Sequence, residues 1–188
     1  LLGSMLADEI LNGGFGIGAL ACANKAATDT LVELFKDSLI RMHPTTDVAG
    51  AAWAGALKNV YAMLMGIAYG LEYGDNVKGF LAARALREMR WLIEYFGGHD
   101  ETCLSAAGAG DFLSTGYSPL SRNRQLGHAI VHHEEYPKTA EGIVALPLLL
   151  AKLGEEKKKY PALLALEAIV LNKENPRSSI DLLTTHHA

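Results

Sequence analysis

The rhythm of apolar residues changes once along this chain, just after His43-Pro44. Up to that point short patterns of different period alternate. A helical spacing runs over Ala7 to Leu11, a glycine-rich passage continues through Gly18, and a strand-like run covers Ala19 to Ala23. A helical stretch from Ala26 to Phe35 and a short extended run from Leu39 to Met42 follow. Such alternation suits the edge of an α/β sheet. Everything downstream reads as helix. Thr46 or Asp47 is placed to cap a first helix reaching about Leu71. Further helices are predicted over Val77 to Tyr95, Arg122 to His132, Lys138 to Leu153, Pro161 to Leu171 and Ser179 to Leu183. On the Val77 to Tyr95 helix, Arg84, Arg87, Glu88 and Arg90 decorate an amphipathic pattern. Pro161 fits a first turn, whereas Pro147 falls inside an apolar helical run and is expected to kink or divide it. The run Glu155-Glu156-Lys157-Lys158-Lys159 reads as a solvated loop or helix end.

Chemistry concentrates in two of these segments. On the first long helix Ala51, Ala54, Gly55, Lys58, Ala62, Met65 and Gly66 fall near one face, so Lys58 is the only large polar group on a stripe of small residues. Trp53, Leu57, Val60, Tyr61, Leu64 and Leu71 form the other side, which reads as the packing face. Each mid-helix glycine costs about 1 kcal/mol relative to alanine, a cost usually offset where something approaches closely. Among small apolar groups the charged form of a lysine is disfavoured, which suits it to proton exchange; the same spacing also fits a lysine snorkelling at a helix interface.

The second segment begins at Gly108-Ala109-Gly110-Asp111, where glycines and a proline frame a loop that enters a helix at Ser118-Pro119-Leu120-Ser121-Arg122-Asn123-Arg124. Ser121, Arg122 and Asn123 stand at that helix's N-terminus, where free N–H groups and the helix dipole favour an anion such as phosphate. Arg122 offers a bidentate grip on phosphate oxygens. An N-capped helix with two surface arginines gives the same pattern. Asp111 is open between orienting a lysine or substrate hydroxyl and fixing its own turn.

Composition narrows the classes. The chain has 188 residues, 49% hydrophobic and 20% charged, enough for one compact domain or a domain with a fragment of another. A net charge of −4 without a dense Lys/Arg stripe argues against a nucleic-acid partner. The longest apolar stretches, such as Ile143 to Leu153, are too short to span a bilayer, and no secretory pattern opens the chain, so a cytoplasmic protein is expected. Cys22 and Cys103 are far apart and suggest neither a disulfide framework nor a zinc site. His132 and Glu135 could share a helix face, but two ligands do not close a metal site; His186-His187 reads as terminal tail. The opening Leu1-Leu2-Gly3 reads like the interior of a domain, and a truncated chain is expected.

Several separated motifs together resemble the NAD(P)-dependent glycerol-3-phosphate dehydrogenase family. They are Gly55-Ala56-Leu57-Lys58-Asn59-Val60, Gly66-Ile67-Ala68-Tyr69-Gly70-Leu71, Gly74-Asp75-Asn76, Ala109-Gly110-Asp111, the Ser118 to Arg124 run and Glu141-Gly142, in the family's order. The resemblance implies a mainly α fold: a 6-phosphogluconate-dehydrogenase-like C-terminal helical domain over 46–188, preceded by a remnant of an α/β Rossmann domain over 1–45. It implies interconversion of sn-glycerol 3-phosphate and dihydroxyacetone phosphate with NAD or NADP, a place in glycerol-3-phosphate metabolism, and leaves a homodimer open. On this sequence it makes Lys58 the proton acceptor in alcohol oxidation, with Asn59 and Asp111 beside the substrate. Thr115, Ser121, Arg122 and Asn123 then hold hydroxyl and phosphate groups, and Gly3 lies near the phosphate. Arg122, Glu141 and Ala7 reach the cofactor.

Departures accompany the match. Met5 replaces the family's usual Ser or Asn, and the stretch from Arg124 to Glu141 is short. No Gly-x-Gly-x-x-Gly follows a first strand, so weak dinucleotide binding is expected of this chain. Two other readings stay open: a related dehydrogenase acting on a hydroxy acid or sugar nucleotide, against which the Ser121-Arg122-Asn123 grip argues, and a non-catalytic helical module that dimerises or binds a phosphorylated ligand.

Overall fold

Glycine decides the first sheet. In the computed structural model, which describes residues 1–185, strand β1 (Leu2–Ser4) pairs antiparallel with β2 (Gly16–Ala21), opposing Gly3 to Gly18. Gly3 has φ +151, and a Cβ there would stand 2.3 Å from the Gly18 Cα. Only glycine permits that approach. Between β1 and β2 runs the short helix α1 (Ala7–Leu11). Helix α2 (Lys25–Glu33), capped by the Asn24 side chain accepting from the Ala27 N–H, connects β2 to β3 (Ile40–Thr45). β2 and β3 pair in parallel, so this is a β-α-β crossover and the sheet order is β1-β2-β3. The strands begin and end a few residues from the expected positions. β3 continues through Pro44, which a strand tolerates at a sheet edge, where no neighbour needs the missing N–H. β1 was not expected, because three residues carry no readable alternation.

With the exception of α5 (Asp111–Tyr117), the helices follow where the periodicity predicts them: α3 (Val48–Gly70), α4 (Asp75–Tyr95), α6 (Arg122–His132), α7 (Glu141–Leu153), α8 (Pro161–Leu166) and α9 (Pro176–Thr185). Asp47 caps α3 by accepting from the Gly50 N–H at 2.8 Å. Its other oxygen accepts from the His99 N–H at 2.8 Å and the Thr102 hydroxyl at 2.6 Å, tying the start of α3 to the turn after α4. Burial works to raise the Asp47 carboxyl, but these hydrogen bonds prevail and hold it below its usual range.

Three expectations need correction. The two-faced division of α3 fails, because nearly every residue from Leu57 to Ala68 is buried; a helix apolar all round is enclosed on all sides. On α4 the charged pattern does not simply face water: Glu88 is 0% and Arg84 5% exposed. The glycine-framed loop around Asp111 is helical, with a π-helical turn at Ala106–Gly110 running into α5. Its glycines disguised it, yet Gly108 is required there because a Cβ would meet the Cys103 carbonyl oxygen at 2.2 Å. Of the two effects expected of Pro147, a kink or a division, division does not occur, since α7 runs through it; Pro147 and Ile143, whose carbonyl would accept the missing bond, both lie on exposed positions.

The chain divides into two compact units. One contains Leu1–Lys58 and Met89–Ser114, with a small cluster of Ala19, Ala51 and Ala107 against Leu2 and Ala21. The other contains Asn59–Glu88 and the residues from Thr115 onward. In the second, Gly66 of α3 and Gly127 of α6 allow close crossing: added Cβ atoms would meet the Arg124 and Met63 carbonyl oxygens at 2.1 and 2.2 Å. Among the described residues no helix is long and apolar enough to cross a membrane. The Glu155 to Lys159 run forms a 3-10 turn carrying local ion pairs. Cys22 and Cys103 are free thiols, and burial pushes Cys103 up to about 11. His133 takes a left-handed conformation that ends α6, so Glu135 is not on a helix face with His132. The His186-His187 pair lies outside the described residues.

Candidate functional site

The sequence-predicted residues fall into two groups, one in each unit. In the first, α3 carries Lys58 and the first turn of α5 carries Asp111, fifty-three positions later. Lys58 Nζ donates to Asp111 Oδ1 at 2.7 Å. The Asp111 side chain is 3% exposed and that of Lys58 20%, so the carboxylate is enclosed while the ammonium keeps a route to the outside. An ionised carboxylate so deep is costly unless paired, which ties Asp111 to its lysine. Lys58 therefore has a carboxylate partner, where the small-residue stripe alone suggested an apolar surround. A lysine ammonium has three donors, and Asp111 engages one of them. The arrangement can present an N–H to an oxygen atom and exchange a proton with it.

The other two first-unit candidates look different. Gly3 is buried against Gly18, so its lack of a side chain has a packing cause within the sheet. Ala7 starts α1 and is exposed. Met5 packs near Gly16 and Gly18, filling space that a Cβ on either would need.

In the second unit three helices meet through side-chain amides. Asn59 of α3 donates from Nδ2 to Glu141 Oε2 at 2.6 Å, and its Oδ1 accepts from Asn123 Nδ2 at 2.9 Å. Asn123, in the first turn of α6, accepts at Oδ1 from the Gly142 N–H of α7 at 2.8 Å. Asn59 and Asn123 are 8% and 6% exposed, while Glu141 is exposed. Gly142 is necessary here, since a Cβ would approach the Asn59 carbonyl oxygen to 2.4 Å and Asn123 Oδ1 to 3.0 Å. Sequence reasoning undervalued it; the signal was a glycine in a first helical turn.

Ser121 is the N-cap of α6, its hydroxyl accepting from the Arg124 N–H at 3.3 Å, and it is 5% exposed. Arg122, the next residue, is exposed. Thr115 is buried on α5 at 8% exposure. Arg124 turns its guanidinium over the Tyr69 ring, 3.9 Å from the centroid, and so supports the α3–α6 packing.

A family model described as NAD-dependent glycerol-3-phosphate dehydrogenase C-terminus matches residues 47–181. The glycerol-3-phosphate dehydrogenase [NAD(P)+] of Pseudomonas entomophila is 33% identical over 98% of this chain and 60% of its own length. That of Acaryochloris marina is 31% identical over 97% and 61%. The solved glycerol-3-phosphate dehydrogenase of Coxiella burnetii is similar with a TM-score of 0.89 at 27% identity, covering 98% of this chain and 59% of that one. The Plasmodium falciparum glycerol-3-phosphate dehydrogenase has a TM-score of 0.84 at 15% identity, covering 100% and 56%, a likeness of fold alone. The chain thus spans about three fifths of the length of these two curated relatives.

Proposed function

The chain belongs to the NAD-dependent glycerol-3-phosphate dehydrogenase family, and we propose that it supplies the substrate-binding and proton-transferring part of an enzyme interconverting sn-glycerol 3-phosphate and dihydroxyacetone phosphate. The observation that carries this reading is the enclosed Lys58–Asp111 pair at 2.7 Å, formed by residues that stand in two separate family motifs. When dihydroxyacetone phosphate is reduced, the Lys58 ammonium donates a proton to the C2 carbonyl oxygen; in the reverse direction the neutral amine takes the proton of the C2 hydroxyl. Asp111 holds Nζ in place for both. Asn59, Thr115, Ser121, Arg122 and Asn123 bind hydroxyl and phosphate oxygens, with the α6 N-terminus and Arg122 favouring the dianion. Gly3 is a further candidate for a phosphate contact. In this reading 1–45 is a Rossmann remnant and 46–188 the helical catalytic domain. The match of the family model to 47–181 supports that division.

NAD or NADP supplies and accepts the hydride in this reaction, and Ala7, Arg122 and Glu141 are the candidate contacts. The β2–α2 turn does not fit a dinucleotide pyrophosphate: Cys22-Ala23-Asn24 has no glycine, and the Asn24 side chain already takes the Ala27 N–H that an anion would need. The same turn favours a second reading, in which these residues bind a phosphorylated ligand without hydride chemistry. A cytoplasmic location and a homodimer belong to the proposal as well.

The test combines an assay of NADH or NADPH oxidation with dihydroxyacetone phosphate and a calorimetric titration of glycerol 3-phosphate. Turnover that falls by about a hundredfold or more in Lys58→Ala, with the ligand still bound, is the expected result for the enzyme. Binding without turnover selects the second reading. Neither binding nor turnover sinks both.

A further inference from the structure

We propose that Glu141 is a positioning residue, which through its hydrogen bond to Asn59 anchors the far end of an amide chain that the Gly142 N–H orients at the other end, and so holds the Asn59 and Asn123 amides in place and sets affinity for the phosphorylated substrate. This deepens the function proposed above and rests on it for the identity of the ligand. A carboxamide has a donor end and an acceptor end, and turning it over exchanges them. The Gly142 N–H can only donate, so the atom of Asn123 facing it is Oδ1. Nδ2 of Asn123 then faces Asn59, whose facing atom must be Oδ1. That leaves Nδ2 of Asn59 toward Glu141, an ionised carboxylate that can only accept. The chain of bonds begins at a backbone donor and ends at a charge, and each link admits one orientation.

Glu141 is the terminal link. Its bond to Asn59 is the one in the series with an ionised partner, and at 2.6 Å it is the shortest. The backbone fixes the opposite end, and Gly142 holds α7 close enough for both ends to engage α3 and α6. Glu141 is exposed whereas both asparagines are buried, so its influence on a ligand at the asparagines is exerted through Asn59. A residue serving only the dinucleotide would leave substrate binding unchanged in the absence of dinucleotide.

The experiment titrates glycerol 3-phosphate, without dinucleotide, into the chain and its Glu141→Ala and Glu141→Gln variants, with helical content followed by circular dichroism. Side-chain amide resonances of Asn59 and Asn123 are recorded by NMR in the same samples. Glu141→Ala is expected to weaken binding about tenfold and to shift both amide resonances, at unchanged helical content. Glu141→Gln, which keeps an acceptor for Asn59 Nδ2, is expected to restore binding to within about threefold of the parent. An alanine variant with parental affinity and unmoved Asn59 and Asn123 resonances overturns the proposal. So does a glutamine variant as weak as alanine while its amides stay at the parental positions. If the parent chain does not bind glycerol 3-phosphate, the functional reading fails, and unmoved amide resonances in Glu141→Ala then separately reject the positioning role.

Discussion

Two buried charges in this protein are handled in different ways. Asp111 is neutralised by an ammonium from another helix, whereas Glu88 is satisfied mainly by dipoles. Ala162 N–H donates to one Glu88 oxygen at 2.7 Å; Leu163 N–H and the Tyr61 hydroxyl donate to the other at 3.0 and 2.9 Å. Glu88 thus caps α8 from outside, because Tyr160 at its N-cap position offers no side-chain bond. Burial pushes the Glu88 carboxyl up to about 7, against the opposing effects of those donors and of Arg84. The native state therefore holds this proton more tightly than the unfolded chain, whose carboxyl lies near 4.5. Stability from this group is fully present below 4.5, declines as pH rises through about 7, and is flat above. Comparing urea midpoints of the parent and Glu88→Gln from pH 5 to 8 should show the parent's advantage shrinking with rising pH, by at most about 3 kcal/mol. An advantage that stays constant from pH 5 to 8 would show that Glu88 is ionised in both states over that range.

At the scale of elements, helix crossing sets what each glycine may become. Gly66 and Gly127 sit where backbone carbonyls of the partner helix leave no room for a methyl group. Gly79, on the exposed side of α4, has nothing within 4 Å of its added Cβ. The same substitution should act with opposite signs. Gly66→Ala or Gly127→Ala is expected to lower stability by about 1–3 kcal/mol through forced separation of α3 and α6. Gly79→Ala should raise it by about 0.5–1 kcal/mol through helix propensity. Thermal denaturation reads both; about 2–4 °C per kcal/mol is the scale for a protein of this size. A stabilising Gly66→Ala would mean the crossing is looser than its geometry.

For the molecule as a whole, ligand linkage separates what the chain holds from what it does not. A ligand that binds only the folded state at a hundred times its dissociation constant adds about 2.7 kcal/mol. Glycerol 3-phosphate at saturation should therefore raise the melting temperature by several degrees. NAD or NADP alone should raise it much less, because the β2–α2 turn spends its N–H on Asn24. A shift with NAD as large as that with glycerol 3-phosphate would show a dinucleotide site elsewhere in the chain.

Apart from α5, which its glycines disguised as a loop, the helices from α3 onward were legible because their apolar spacing is long and regular. Ser121 at its cap, Arg122 and Asn123 were also placed correctly on α6, since capping chemistry is local. What the sequence left open was every feature made by residues far apart in the chain. Asp111 was ambiguous until α5 brought it against Lys58. Asn123 looked like part of a phosphate grip, but its amide orientation is decided by Gly142, nineteen positions away. Glu88 looked like surface decoration until α8 presented its N–H groups to it. Periodicity and caps depend on neighbours within a turn or two, so one sequence determines them. The partner of a buried charge or amide depends on which elements pack together, and only the tertiary structure decided that.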